Sequence, residues 1–214
     1  MKEFYEAAWD DLPPDALPWN WKWRWPLLRR ELEPGIRMLD LGCGAGHFAG
    51  AASAAGADVV GIDIAERALQ RARILAPNAA FRLLEANGTL PLEHNSIDLV
   101  WCSEVIEHVA DVGLLLLEAR RVLKPDGRLL LTTPAHGLLR RVLIAAVRFD
   151  QHFDPLGQHL RFFSSSSLRF ALCNSAYADV CVTECGGLPL LRSTLVARAR
   201  RAARQSPDNS PRVP

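Results

Sequence analysis

The sequence predicts one α/β domain built on a doubly wound, mostly parallel sheet of seven strands. Three observations predict it. Short apolar runs alternate with helix-like stretches along most of the chain, the order that lays helices on both faces of a parallel sheet. A glycine-rich turn, Gly42-Cys43-Gly44-Ala45-Gly46, follows the first apolar run and opens the next helix. The chain has 214 residues and 49% hydrophobic content, enough for one domain with a sizeable core.

The elements follow in order. The first strand is expected near 36–41, ending at Asp40-Leu41, and a helix near 46–55 leaves the glycine turn. Val59-Val60-Gly61-Ile62 makes the second strand, near 58–62, and a helix near 65–75 follows. A third strand is expected near 79–84. Ser96-Ile97-Asp98-Leu99-Val100 opens the fourth, near 97–102, and leads to a helix near 111–123. Lys124-Pro125-Asp126-Gly127 reads as a turn into a fifth strand near 127–133. Ser164–Ser167 supplies a helix start for 164–175, and the last two strands fall near 178–184 and 193–198, joined around Gly186-Gly187-Leu188-Pro189. In such sheets ligands bind outside the C-terminal strand ends, at the switch point beside strand one.

The glycine turn carries the first chemical signal. Gly42 and Gly44 allow backbone conformations and a close ligand approach that a Cβ would block, and Gly46 lets the next helix pack tightly. Asp40 sets a carboxylate beside the turn, suited to a cationic group. A dinucleotide site wants G-x-G-x-x-G with pyrophosphate on the helix N-terminus. Here the third glycine comes one residue early, and His47 follows it. A second carboxylate, Asp63, ends the second strand, where an acidic residue suits a ribose diol. A ligand with a ribose and a cationic tail, and no required phosphate, has the shape of S-adenosylmethionine.

On these residues the chain resembles the class I S-adenosylmethionine-dependent methyltransferases of the small-molecule type, from about Pro34 to Arg198. Leu39–Gly46 is similar to that family's first motif, and Gly61-Ile62-Asp63-Ile64 to its ribose motif. Ser96–Val100 is similar to its fourth strand, and Arg121-Val122-Leu123-Lys124-Pro125-Asp126-Gly127 to its R-V-L-K-P-G-G turn. Asp126 departs from the usual glycine, with Gly127 left to supply positive φ. The resemblance implies a Rossmann-like methyltransferase fold with an antiparallel last strand. It implies a cofactor site of Asp40, Gly42, Gly44, Gly46, Asp63 and Ile64. It also implies an adenine contact after the third strand. Ala86 stands where the family often has Asp, so Asn87-Gly88 is the expected substitute from a loop one residue shorter.

Methyl transfer from a sulfonium asks the protein mainly for alignment, with a base useful for a hydroxyl acceptor. His159, in His159-Leu160-Arg161-Phe162-Phe163-Ser164, resembles a segment that lies near the substrate pocket in many relatives; its alternative is packing at the helix start. In Ser103-Glu104-Val105-Ile106-Glu107-His108-Val109, Glu104 is expected to line the cofactor and His108 to lie near the acceptor. A helical reading puts Glu104, Glu107 and His108 on one face. That arrangement could bind a divalent metal with His152 or His159, as in small-RNA 2′-O-methyltransferases. The expectation is no metal, with His108 and His159 as the catalytic candidates.

Composition bounds the rest. A net charge of +1 argues against a generally basic nucleic-acid surface. Five irregularly spaced cysteines make no disulfide framework, and Cys181-x-x-x-Cys185 lacks the second pair a zinc site needs. The chain opens on polar and acidic residues, without the pattern of a secretory signal, and a cytoplasmic location is expected. Residues 1–33 are expected to be an N-terminal lid segment, 34–198 the methyltransferase domain with a cap insertion at 135–163, and 199–214 a flexible tail. Trp19, Trp21, Trp23 and Trp25 alternate with Asn20, Lys22 and Arg24. On a strand they would share one face; on a helix 19 would pair with 23, and 21 with 25. A packed lid, an aromatic wall over the acceptor and a membrane-interface anchor all suit the run, and the apolar, basic stretch 138–149 supports the last. The reading is S-adenosylmethionine-dependent methylation of a small-molecule or lipid-like acceptor, at oxygen. The alternatives are a metal-assisted RNA 2′-O-methyltransferase and a non-catalytic cofactor-binding partner protein.

Overall fold

Seven strands build the sheet: β1 (Arg37–Leu41), β2 (Asp58–Asp63), β3 (Ala80–Leu83), β4 (Ile97–Ser103), β5 (Leu123–Pro134), β6 (Tyr177–Cys185) and β7 (Thr194–Arg201). They lie in the order β3-β2-β1-β4-β5-β7-β6. All neighbours are parallel except β7, which runs antiparallel to both β5 and β6. The order reverses between β1 and β4, the switch point of a doubly wound sheet. The computed structural model describes residues 2–13, 16–84, 88–147, 149, 159–187 and 193–202. Its described helices are α1 (Lys2–Asp11), α2 (Trp21–Arg29), α3 (His47–Ala54), α4 (Glu66–Leu75), α5 (Val112–Val122), α6 (Leu138–Val147) and α7 (Ser165–Asn174).

Alternation along the strands divides the core in two. Leu39, Val100, Leu129 and Leu131 face one side with Leu116 and Ala119 of α5 and Leu168 and Leu172 of α7. Met38, Leu99, Trp101 and Leu130 face the other, with Leu28 of α2 and Phe48, Ala49 and Ala52 of α3. Side chains one residue apart point to opposite faces of a strand, so near-continuous apolar runs bury both faces at once. Both clusters consist of residues under 10% exposed, and the free energy of burying them drives the fold.

The turn into β5 departs from expectation. Asp126 itself takes the left-handed conformation, φ 62°, which Asp tolerates better than most residues. Gly127 serves space instead: a Cβ there would lie 2.8 Å from the Lys124 carbonyl oxygen. Leu123 already pairs with Ile97, with a register shift before the next pair, so β5 begins four residues before the expected start at 127. The tryptophan run follows the helical alternative. Trp21 and Trp25 stack at 5.7 Å, and Trp21 packs on Phe48 at 4.8 Å.

Candidate active site

The C-terminal tips of β1 and β2 shape the first wall of the site. Gly42 N and Cys43 N donate to the Ile62 carbonyl at 2.7 and 3.1 Å, tying the turn to β2. Gly42, Gly44 and Gly46 all have positive φ, 74°, 52° and 81°. A Cβ on Gly42 would come within 2.3 Å of Val105 Cγ2, so a side chain there would displace the segment after β4. A Cβ on Gly46 would meet Ala72 of α4 at 2.9 Å, so this glycine serves packing against a helix. Asp63 stands at the tip of β2, where Gly44 N donates to Oδ2 at 2.9 Å and Ala65 N donates to Oδ1 at 3.0 Å. Burial raises its pKa, and those amides oppose the rise.

A cavity of about 420 Å3 opens at these tips, in the size range of small-molecule sites. Gly42, Asp63, Ile64 and Gly88 line it, as do Glu104, Val105, His108 and Val109 of the segment after β4. Tyr5 and Trp9 line it from α1, and Leu114 and Leu115 from α5. A second hollow of about 730 Å3 surrounds the β3–β4 loop, but its Arg121 is already bonded to Glu118 at 2.7 Å. The first cavity, at the strand tips, is the one the fold topology favours.

α1 is fastened across this cavity. Glu66 N and Arg67 N, the first amides of α4, donate to the Glu6 carboxylate at 2.8 and 3.1 Å. Arg71 donates to the Trp9 and Leu12 carbonyls at 2.5 and 2.9 Å and lies over the Trp9 ring. The Trp9 indole sits 3.0 Å from where a Gly44 Cβ would be, and Tyr5 meets the His108 ring edge-on at 6.0 Å. Tyr5, Glu6 and Trp9 are the functional positions that the tryptophan-rich run overshadowed in the sequence. The i, i+4 spacing of Tyr5 and Trp9 is the signal that could have revealed them.

The segment after β4 is a turn, not the helix that the E-x-x-E-H spacing suggested. Glu104 has φ 57°, and the His108 amide closes the next turn on the Val105 carbonyl at 2.9 Å. The carboxylates therefore diverge. Glu104 accepts from Thr132 Oγ1 at 2.9 Å, and Glu107 accepts from Thr133 Oγ1 at 3.0 Å. His108 and His159 come together, ring centroids 4.9 Å apart, and Glu107, His108 and His159 each offer a ligand atom within 4.8 Å of the others. One carboxylate with two imidazoles is a donor set that first-row divalent metals accept. Glu104 is not part of that group. His152 and Asn87 lie outside the described residues.

Three carboxyl groups act on a single buried guanidinium. Arg24 is 4% exposed, donates to Ser103 Oγ at 2.8 Å, and is attracted by Glu104, Glu107 and Asp40. Asp40 lies behind the glycine loop rather than on the cavity wall; its Oδ2 is buried without a partner among the described residues. Burial first and Asp63 second push its pKa up to about 7. Burial first and Glu104 second raise Glu107, whose Oε1 has no hydrogen-bond partner among the described residues but lies 3.9 Å from His108 Nε2. Burial holds these carboxyls towards the neutral form, and a cationic ligand brought beside them would favour their ionised form. A sulfonium on a ribose fits the glycine turn and Asp63.

The remaining histidines are elsewhere. His47 packs edge-on against Trp21 at 6.4 Å, and burial lowers its pKa. His136 is buried against Phe162, with ring centroids 5.1 Å apart. Within 135–163, Ala135 bridges to Phe163, and the Leu160 and Arg161 amides donate to the Glu107 carbonyl at 2.8 and 3.2 Å, which carries His159 to its place beside His108.

Comparison with known proteins agrees with this geometry. The family described as "Methyltransferase domain" matches residues 39–131. A ubiquinone biosynthesis O-methyltransferase of Neisseria meningitidis serogroup C is 33% identical over 159 residues, 70% of this chain and 66% of that protein. Another relative of that name, from Rhodopseudomonas palustris, is 33% identical over 161 residues, 72% of this chain and 62% of that protein. The chain thus spans less than two thirds of these relatives' length. Among solved structures, an S-adenosylmethionine-dependent methyltransferase from Mesorhizobium loti superposes with a TM-score of 0.65 at 26% identity, covering 83% of this chain and 97% of that one.

Proposed function

Because the chain belongs to the class I S-adenosylmethionine-dependent methyltransferases, with S-adenosylmethionine as cofactor, we propose that it methylates a hydroxyl oxygen of a small-molecule or lipid-like acceptor. The observation that carries this reading is the cavity itself. It brings Gly42 and Asp63 of the strand tips into one space with a half-buried His108, which is backed by His159. The O-methyltransferase names of the relatives support oxygen as the acceptor atom.

The cofactor supplies an electrophilic methyl group on a positively charged sulfur. Each group of the chain then has a task. Asp63 holds a ribose diol through the lone pairs its two amide bonds leave free. Asp40, Glu104 and Glu107, held towards the neutral form by burial, ionise more readily once a cation stands beside them. Gly88 and Ile64 border the adenine end, with Asn87 the side-chain candidate there. Tyr5 and Trp9, as a lid, exclude water and orient the acceptor, which is most of what this reaction needs. His108 takes the acceptor proton and passes it towards the exposed His159.

Transfer of labelled methyl to a panel of hydroxyl-bearing small molecules tests the reading. The His108→Ala variant is expected to lose about 10²–10⁴-fold in turnover, the range of general-base catalysis, while cofactor affinity stays within a few fold. Unchanged turnover would remove His108 from the chemistry. The Glu107–His108–His159 cluster favours a second, metal-assisted reading. Activity that is lost with EDTA and restored by a divalent cation would replace the metal-free account with that one.

A further inference from the structure

The tryptophan run is only half used by the fold. α2 turns Trp21 and Trp25 inward onto Phe48, while Trp19 and Trp23 remain 57% and 61% exposed and Leu17 62% exposed. Lys22, Pro26, Arg29 and Arg30 are exposed as well. On α2 and its cap, positions 22, 23, 26, 29 and 30 recur at three- and four-residue steps and form one continuous outward face. Residues 16–30 hold four cations and no acid, in a chain whose net charge is only +1. Arg24 is the buried one. The Lys22, Arg29 and Arg30 side chains have no hydrogen bond or ion pair among the described residues.

We propose that this outward face of α2, with Leu17 and Trp19, docks on an anionic lipid surface. Indoles combine an apolar body with a polar N–H and concentrate at the headgroup boundary. Unpaired cations beside them are drawn to the negative surface potential of anionic lipid. A nine-residue helix containing Pro26 is too short to cross a bilayer, and no described helix is long and apolar enough to do so. Such a segment lies in the plane of the interface. Single-stranded nucleic acid would also use cations and aromatic rings. Leu17 and Pro26 add aliphatic surface that base stacking does not employ, which favours lipid. The inference is independent of which acceptor is methylated.

Co-sedimentation of the full chain with vesicles tests it, using phosphatidylcholine alone and phosphatidylcholine mixed with phosphatidylglycerol. Binding is expected to the mixed vesicles only, and to weaken as salt rises. Joint replacement Lys22→Gln, Arg29→Gln and Arg30→Gln is expected to weaken it on the order of a hundredfold. Trp19→Ser with Trp23→Ser is expected to weaken it about tenfold, also at low salt, and to reduce quenching of tryptophan fluorescence by brominated lipid. All five side chains are exposed, so the melting temperature and S-adenosylmethionine affinity should stay at the wild-type values. Failure of the wild-type chain to bind mixed vesicles overturns the proposal. So does equal binding by the double tryptophan variant. Tighter binding to oligothymidylate than to vesicles, lost on replacing the same cations, overturns it in favour of nucleic acid.

Discussion

α1 and α2 arise from one N-terminal stretch and are held by opposite physics. α2 is fixed by burial, with Leu28 fully enclosed and Trp21 and Trp25 stacked over Phe48. α1 is fixed by polar clasps, from Glu6 to the first amides of α4 and from Arg71 to the carbonyls of Trp9 and Leu12. Removing a buried leucine side chain costs about 2–5 kcal/mol, whereas a carboxylate on a helix N-terminus is worth about 0.3–2 kcal/mol. α2 therefore belongs to the cooperative core, and α1 can open without unfolding the sheet. A cavity that must admit a ligand and then exclude water needs that division of labour.

Three changes break or sharpen the contrast. The largest effect is expected from Leu28→Ala, a global loss of about 2–5 kcal/mol in urea unfolding with the slope unchanged. A loss under 1 kcal/mol would place α2 with α1 outside the core. Next is the charge that α2 carries inward. Arg24 opposes the raised pKa of Asp40, but burial dominates and holds it near 7. A carboxyl raised on folding contributes stability that is complete below its ordinary range and is lost as pH rises through the folded value. Wild type should thus lose, relative to Asp40→Asn, on the order of 1–3 kcal/mol between about pH 5 and pH 8. Parallel stability curves for the two proteins would mean Asp40 is ionised throughout. The smallest effect is expected from Glu6→Ala, about 1 kcal/mol and local. Hydrogen exchange should quicken across α1 while the sheet stays protected. Global destabilisation comparable to Leu28→Ala would make α1 core structure and end its proposed role as a lid.

The strand-tip half of the site is legible in the sequence because backbone geometry writes it there. Positive φ at Gly42, Gly44 and Gly46 demands glycine, and a carboxylate at the end of β2 is a local signal. The seven strands are legible for the same reason, since apolar runs report burial directly. The other half depends on contacts between distant residues. Glu6 reaches Glu66, Trp9 reaches Gly44, and His159 reaches His108 across fifty positions of sequence. Local spacing misled at Glu104, where left-handed backbone after β4 breaks the helical face that E-x-x-E-H suggests. It also misplaced the special φ of the turn into β5, which falls on Asp126 rather than Gly127. The tryptophan run drew weight that belonged to Tyr5 and Trp9, because four tryptophans in seven residues outshine the single tryptophan of α1.

The central claim is that the glycine loop and Asp63 form the S-adenosylmethionine site, and calorimetry with that cofactor tests it most directly. Wild type should bind, and Asp63→Ala should lose roughly 1.5–3 kcal/mol, about ten- to a hundredfold in affinity. Gly42→Val should abolish binding, because its side chain would occupy the space of Val105. Wild-type affinity in both variants, each with its sheet intact by circular dichroism, would contradict the account.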